Sequence, residues 1–203
     1  FGIWQFVSHM FMHGGVAHIL FNMYALWAFG TPLEQMWGRN KFLCLYFSAG
    51  IGAGLIYTAV NYYQFNSTYQ DLIQLGINAE SIQQILNTGQ YNSEILTAIP
   101  EKKISEFFQI YHTPAVGASG AIYGVLVAFG MSYPNAKLAL IFFPVPIAAK
   151  YFIPVLIAID LFSGVTGFSL FGGGIAHFAH VGGAVIGFII MQYWKKHQFN
   201  RWN

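Results

Sequence analysis

The chain has 203 residues, of which 56% are hydrophobic and 8% charged, where a soluble domain carries roughly 25% charged residues. So much apolar surface cannot be hidden by a water-soluble domain of this size, and a bilayer is the solvent that accepts it. A net charge of +2 with no basic run of five residues is too small to suggest nucleic-acid binding, and the single Cys44 excludes an internal disulfide or a multi-cysteine metal site.

Taken in chain order, residues 1–12 lack the basic start and long apolar core of a cleavable signal peptide. Apolar runs approaching a span of about 20 residues follow at 16–30, 42–62, 116–133, 151–165 and 175–194. Residues 138–147 are apolar but broken by Pro144 and Pro146, and read as an interfacial turn. The fold class expected is all-α, a polytopic membrane helix bundle.

Lys and Arg placement orients the bundle. Arg39 and Lys41, Lys137 and Lys150, and Lys195, Lys196 and Arg201 follow the first, third and last runs, and this side is expected to be cytoplasmic. Residues 1–15 and 166–174 carry no Lys or Arg, and 63–115 carries only Lys102 and Lys103. The N-terminus then falls on the outer side, and the economical expectation is a further helix upstream of Phe1 in a six-span protein. Residues 64–112 differ in kind: they are rich in Gln, Asn and Ser and hold five of the seven acidic residues. They read as a polar, partly helical external insertion within one membrane domain of residues 1–203, with helical periodicity at 79–86 and 93–108.

Ser119 lies in Gly117-Ala118-Ser119-Gly120, where glycines on both sides free the backbone and admit a substrate closely. A serine at a helix start also has unpaired backbone N–H groups beside it. Close helix packing is the competing reading of such a cluster. His180 lies in Ala179-His180-Val-Gly-Gly183-Ala-Val-Ile-Gly187, and an ionisable residue inside a span is costly and functional by default. Gly183 and Gly187 face one side of that helix, and Gly120 and Gly124 one side of the other, so the two could approach closely. Serine needs a base and histidine is the natural one near neutral pH; a structural histidine is the other reading.

Tyr123, four residues after Ser119, shares its face and either holds the imidazole or fills core space. His18 and Asn22 are one turn apart and supply donors for an oxyanion or, alternatively, helix-to-helix bonds. His9 and His13 have i,i+4 spacing, yet no acid or cysteine lies nearby to complete a zinc site, so no metal and no cofactor is expected. Asp160 is the only acid in an expected span. It could orient a histidine, but a bond to a neighbouring helix is the preferred reading, leaving a serine–histidine dyad.

These segments together, His9…His13…His18-Ile-Leu-Phe-Asn22, Gly117-Ala-Ser119-Gly120-Ala-Ile-Tyr123 and Ala179-His180-Val-Gly-Gly183-Ala-Val-Ile-Gly187, resemble the rhomboid intramembrane serine proteases from Trp4 to about Tyr193. The resemblance implies Ser119 as nucleophile, His180 as base and then acid, and an oxyanion site of His18, Asn22 and the Ser119 N–H, with Tyr123 packed on His180. It implies a six-helix core whose first helix is missing here; the family's Trp-Arg loop motif is not found. The implied partners are transmembrane protein substrates and the lipid bilayer, with no nucleic acid, and a compact core with short loops fits a bacterial plasma membrane. Polar residues including His177 would line a wet cavity, and residues 163–174 would cap it. The alternatives are an inactive relative that binds transmembrane helices, a transporter or channel, and a zinc metalloprotease.

Overall fold

The computed structural model describes residues 2–140, 143–168 and 176–199. It is helical throughout apart from one short ribbon, and falls into two compact units, residues 1–57 with 115–203, and residues 58–114.

The first unit opens with a helical turn, α1 (Gln5–Ser8), that tightens into a 3-10 turn at His9–Phe11. Helix α2 (Val16–Trp37) follows and runs through Pro32 rather than stopping before it. The proline removes one bond of the helical ladder, a loss that a helix in a bilayer tolerates, and the Pro32 carbonyl also accepts from the Tyr133 hydroxyl at 3.3 Å. Gly38, at φ 79°, ends the helix in a conformation that other residues rarely adopt. Helix α3 (Arg39–Gln74) begins at once and continues beyond the expected 42–62, its last residues belonging to the second unit.

Two helices, α3 and α7 (Ala149–Thr166), are long and apolar enough to cross a membrane, and α6 (Ser119–Ser132) is a shorter apolar helix. Helices α2 and α8 (His177–Phe199) have the length, but interrupt their apolar runs with His18 and Asn22 and with His177 and His180. The five expected spans therefore correspond to α2, α3, α6, α7 and α8. Their outer faces carry large exposed side chains, among them Leu20, Trp27, Val155, Phe162, Phe188 and Ile189. Such a surface would aggregate in water but suits hydrocarbon.

Helix α6 is the central element. Nine of its fourteen residues are buried, and it packs against α2, α7 and α8. The expected interfacial turn at 138–147 is corrected: Lys137–Leu140 (β1) and Phe143–Ala148 (β2) pair as an antiparallel ribbon, Leu138 opposite Ile147. Pro144 and Pro146 lack N–H groups, which excludes a central strand but not one with a free edge, as both strands of a two-stranded ribbon have.

In residues 58–114, α4 (Ala79–Thr88) and α5 (Glu101–His112) pack together. Their core is Leu72, Ile82, Ile85, Leu86, Ile99, Ile104 and Phe107, with Phe65 stacked on Phe107 at 4.5 Å between ring centroids. The expected helical stretch at 93–108 is broken by Pro100 into a 3-10 turn (Ser93–Thr97) and α5. The His112 ring bonds to the Leu86 carbonyl at 2.5 Å, and Lys103 pairs with Asp71.

Candidate active site

Helices α6 and α8 meet backbone to backbone. A Cβ placed on Gly183 would fall onto the carbonyl of Gly120, and one on Gly187 would lie 2.6 Å from the Cα of Gly124. On the other side of α6, a Cβ on Gly120 would lie 2.7 Å from that of Ala53 on α3. Lipid offers no hydrophobic drive between helices, so contact is set by small residues that let backbones approach. One turn before Gly183 on α8 is His180, and immediately before Gly120 on α6 is Ser119. Their separation follows from the seam: His180 Nε2 lies 2.8 Å from Ser119 Oγ.

Ser119 is the first residue of α6, so its N–H and those of Gly120 and Ala121 have no helical partner. Gly117, at φ 122°, turns the chain into the helix, and its N–H donates to the His9 carbonyl at 2.9 Å. A side chain there would be strained and would also meet the His18 ring, 2.8 Å from its Nε2. His18 Nδ1 accepts from the Gly14 N–H at 3.3 Å, which leaves the proton of a neutral ring on Nε2, the nitrogen beside Gly117.

Asn22 is buried, and its Nδ2 donates to the His18 carbonyl at 2.8 Å, within its own helix. Its Oδ1 has no partner among the described residues. The structure thus brings His18 to the serine but ties one amide proton of Asn22 to the backbone, leaving one Nδ2 proton for any other task. Both ring nitrogens of His13, which stands edge-on to His18 at 5.2 Å, are buried without partners among the described residues. Orphaned polar atoms of this kind are what internal water satisfies.

Tyr123 stacks on His180, centroids 4.3 Å apart and planes 11° from parallel. Its hydroxyl donates to Asp160 Oδ2 on α7. Asp160 Oδ1 accepts from Nδ1 of His180 at 3.2 Å and from Nδ1 of His177 at 2.5 Å. The preferred reading of Asp160 as a bond to a neighbouring helix is met: the carboxylate on α7 bonds to Tyr123 of α6 and to His177 and His180 of α8, and one of these bonds falls on the histidine expected as the base. A buried carboxylate needs such partners, since its hydration is lost. The sequence signal was present, because Asp160 is the one acid in an expected span and His177 and His180 share a helix face.

Asp160, His177 and His180 are also the group of metal-ligand types brought together among the described residues, their donor atoms within 4.8 Å of one another. The two Nδ1 atoms aimed at one carboxylate oxygen are accounted for by hydrogen bonds. The expected cap, residues 163–174, lies from 169 onward outside the described residues; its first four residues end helix α7.

The Rhomboid domain family profile matches residues 1–196. The chain is 28% identical over 190 residues to Rhomboid protein 1, mitochondrial, of Saccharomyces cerevisiae, covering 94% of this chain and 41% of that one. It is 29% identical to Presenilin-associated rhomboid-like protein A, mitochondrial, of Danio rerio, over 95% of this chain and 39% of the relative. With Rhomboid protease AarA of Providencia stuartii it shares 26% identity, over 92% of this chain and 54% of the relative. The chain thus spans about two fifths to one half the length of these relatives, and no solved structure matches it. Two of the three names place the relative in mitochondria, so the expected bacterial plasma membrane draws no support from them. With the apolar helices and the seam already described, the family match over nearly the whole chain makes this protein a member of the rhomboid family of integral membrane proteins.

Proposed function

We propose that this chain is an intramembrane serine endopeptidase that cleaves transmembrane segments of other membrane proteins. The observation that carries the reading is the 2.8 Å contact between Ser119 Oγ and His180 Nε2, on separate helices, with Tyr123 stacked on the imidazole. A serine hydroxyl is a weak nucleophile until a base accepts its proton, and such base catalysis contributes about 10²- to 10⁴-fold.

In this reading a substrate segment unwinds and presents a peptide carbonyl to Ser119. Ser119 Oγ attacks the carbonyl carbon as His180 Nε2 takes the hydroxyl proton. Negative charge gathers on the carbonyl oxygen, where the free N–H groups at the start of α6 and His18 Nε2–H can meet it. His180 returns the proton to the departing amine, leaving an acyl-enzyme. Water, deprotonated by the same imidazole, then releases the acid. Asn22, by its second Nδ2 proton, is a further oxyanion donor in this proposal. Gly117, Gly120, Gly183 and Gly187 serve by letting the two helices close on each other.

The proposal places the protein in a bilayer without choosing the bacterial plasma membrane. Residues 64–112 are proposed as an insertion on the outer side, following the scarcity of Lys and Arg there. The test is cleavage of a reporter transmembrane segment in liposomes, together with labelling by a fluorophosphonate probe. Wild type is expected to cut and to be labelled, Ser119→Ala to do neither, and His180→Ala to lose both cleavage and labelling. A reporter cut equally by Ser119→Ala would end the serine-protease reading. Cleavage that stopped with a chelator instead would favour a metal enzyme.

A further inference from the structure

We propose that Asp160 is a positioning residue for the base: it fixes His180 with its proton on Nδ1 and its lone pair on Nε2, and balances the imidazolium formed when Ser119 gives up its proton. This rests on the protease reading and deepens it from a dyad to a network of Ser119, His180 and Asp160, in which Tyr123 and His177 hold the carboxylate.

A neutral imidazole has one N–H, and which nitrogen bears it is decided by the partner that can accept it. Nδ1 of His180 faces a carboxylate oxygen at 3.2 Å, which only accepts, so the proton belongs on Nδ1. Nε2 is then bare, and it is Nε2 that lies 2.8 Å from the serine hydroxyl. Without the carboxylate nothing else among the described contacts of His180 Nδ1 selects this tautomer. Molecules with the proton on Nε2 would then present an N–H to Ser119, which is useless as a base.

Asp160 is itself held from both sides. Its Oδ2 accepts from Tyr123, whose ring lies flat on His180, so one tyrosine touches base and carboxylate together. Its Oδ1 accepts from His177 at 2.5 Å, a shorter contact than that to His180. The three side chains are nearly sealed: 7% of the Asp160 side chain is exposed, against 11% for His177 and 12% for His180. At that burial solvent screens the charge little, so a carboxylate beside a developing imidazolium acts strongly. Helix α7 packs on α8, and the network is the polar part of that packing.

Asp160→Asn keeps the shape and removes the charge and the tautomer preference. In liposome cleavage assays it is expected to lower kcat about 10²- to 10⁴-fold, the range that loss of an oriented base costs, with KM little changed. A role confined to helix packing would instead raise KM or lower thermal stability and leave kcat per folded molecule intact. Tyr123→Phe keeps the ring on His180 and deletes only the bond to Asp160; it is expected to lower kcat severalfold at unchanged melting temperature. The overturning result is kcat retained in both variants while His180→Ala remains inert, which removes Asp160 from the network and leaves the dyad standing. Should Asp160→Asn fail to fold, Tyr123→Phe decides alone: a severalfold fall in kcat supports the network, and an unchanged kcat overturns it. Failure of wild type to cut or to be labelled would instead sink the protease reading beneath it.

Discussion

Where α6 meets α8, four glycines set the distance; where α4 meets α5, in residues 58–114, aliphatic and aromatic side chains do. The first contact has almost nothing between the backbones, Gly183 lying against the Gly120 carbonyl and Gly187 against Gly124. The second is filled by Ile82, Ile85, Leu86, Ile104 and Phe107, each 5% exposed or less. Side-chain burial stabilises in water at about 25 cal/mol per Å² of apolar surface. Between helices already in lipid that term is small, and close backbone packing with a few polar bonds takes its place. The same chain uses one device to hold the geometry of the proposed active site and another to close a compact unit.

The comparison breaks first at Gly183. Gly183→Val puts two methyl groups where a backbone carbonyl stands, and no flexible side chain can move aside. The helices must separate, and a displacement of about 1 Å at a reacting pair costs on the order of 10²-fold in rate. Fluorophosphonate labelling of Ser119 is expected to slow by at least about that factor. Labelling at the wild-type rate would mean that the Ser119–His180 distance is not set by the glycine seam.

Phe107 tests the other side. It is 1% exposed and stacked on Phe65, and Phe107→Ala is expected to cost about 3–5 kcal/mol, as transfer and cavity terms add. Hydrogen exchange in α4 and α5, followed by mass spectrometry, is the measurement, and both helices should lose protection. Because Phe107 belongs to a different compact unit from Ser119 and His180, the labelling rate should stay near wild type. If Phe107→Ala silenced labelling as fully as Gly183→Val, the two regions would form one cooperative body and the contrast would fail.

Much of this was legible from residue types alone, for reasons that are local. A run of apolar residues long enough to cross a bilayer announces a helix, and α2, α3, α6, α7 and α8 all fall on such runs. Their ends were less legible. The first run was expected to end at Gly30 but α2 continues to Trp37, and α3 keeps turning to Gln74 after its hydropathy falls, because its last residues, Phe65, Tyr69 and Leu72, pack into the core of residues 58–114. The ribbon at 137–148 was hidden by its prolines. At the site, Ser119 and His180 stood out because glycines and an intramembrane histidine are expensive to keep without a reason. The bonds of Asp160 did not, since they depend on the rotation of three helices about their axes, which no single helix encodes. Asn22 was legible only in part for a related reason: its amide has a backbone carbonyl within its own helix to bond, a choice that residue spacing does not reveal.

The smallest effect belongs to Asn78, and it is the finest test of the contrast. Its Oδ1 accepts from the Ser81 N–H at 2.8 Å, capping α4, and Glu80 adds negative charge in the first turn. An N-cap matters where the helix end faces water and its N–H groups need a partner. Asn78→Ala should therefore cost about 1 kcal/mol, and Asn78→Asp, which retains the acceptor, close to none. Hydrogen exchange should show faster opening of the first turn of α4 with α5 little affected, since a cap holds one end of a helix and not the core. The start of α6 is the counterpart: Ala118 makes no side-chain cap, and its free N–H groups stand beside Ser119, where a cap would occupy the donors that the proposed oxyanion requires. A cost at Asn78 equal to that at Phe107 would mean that α4 depends on its end more than on its buried face, and the side-chain core would lose its place in the comparison.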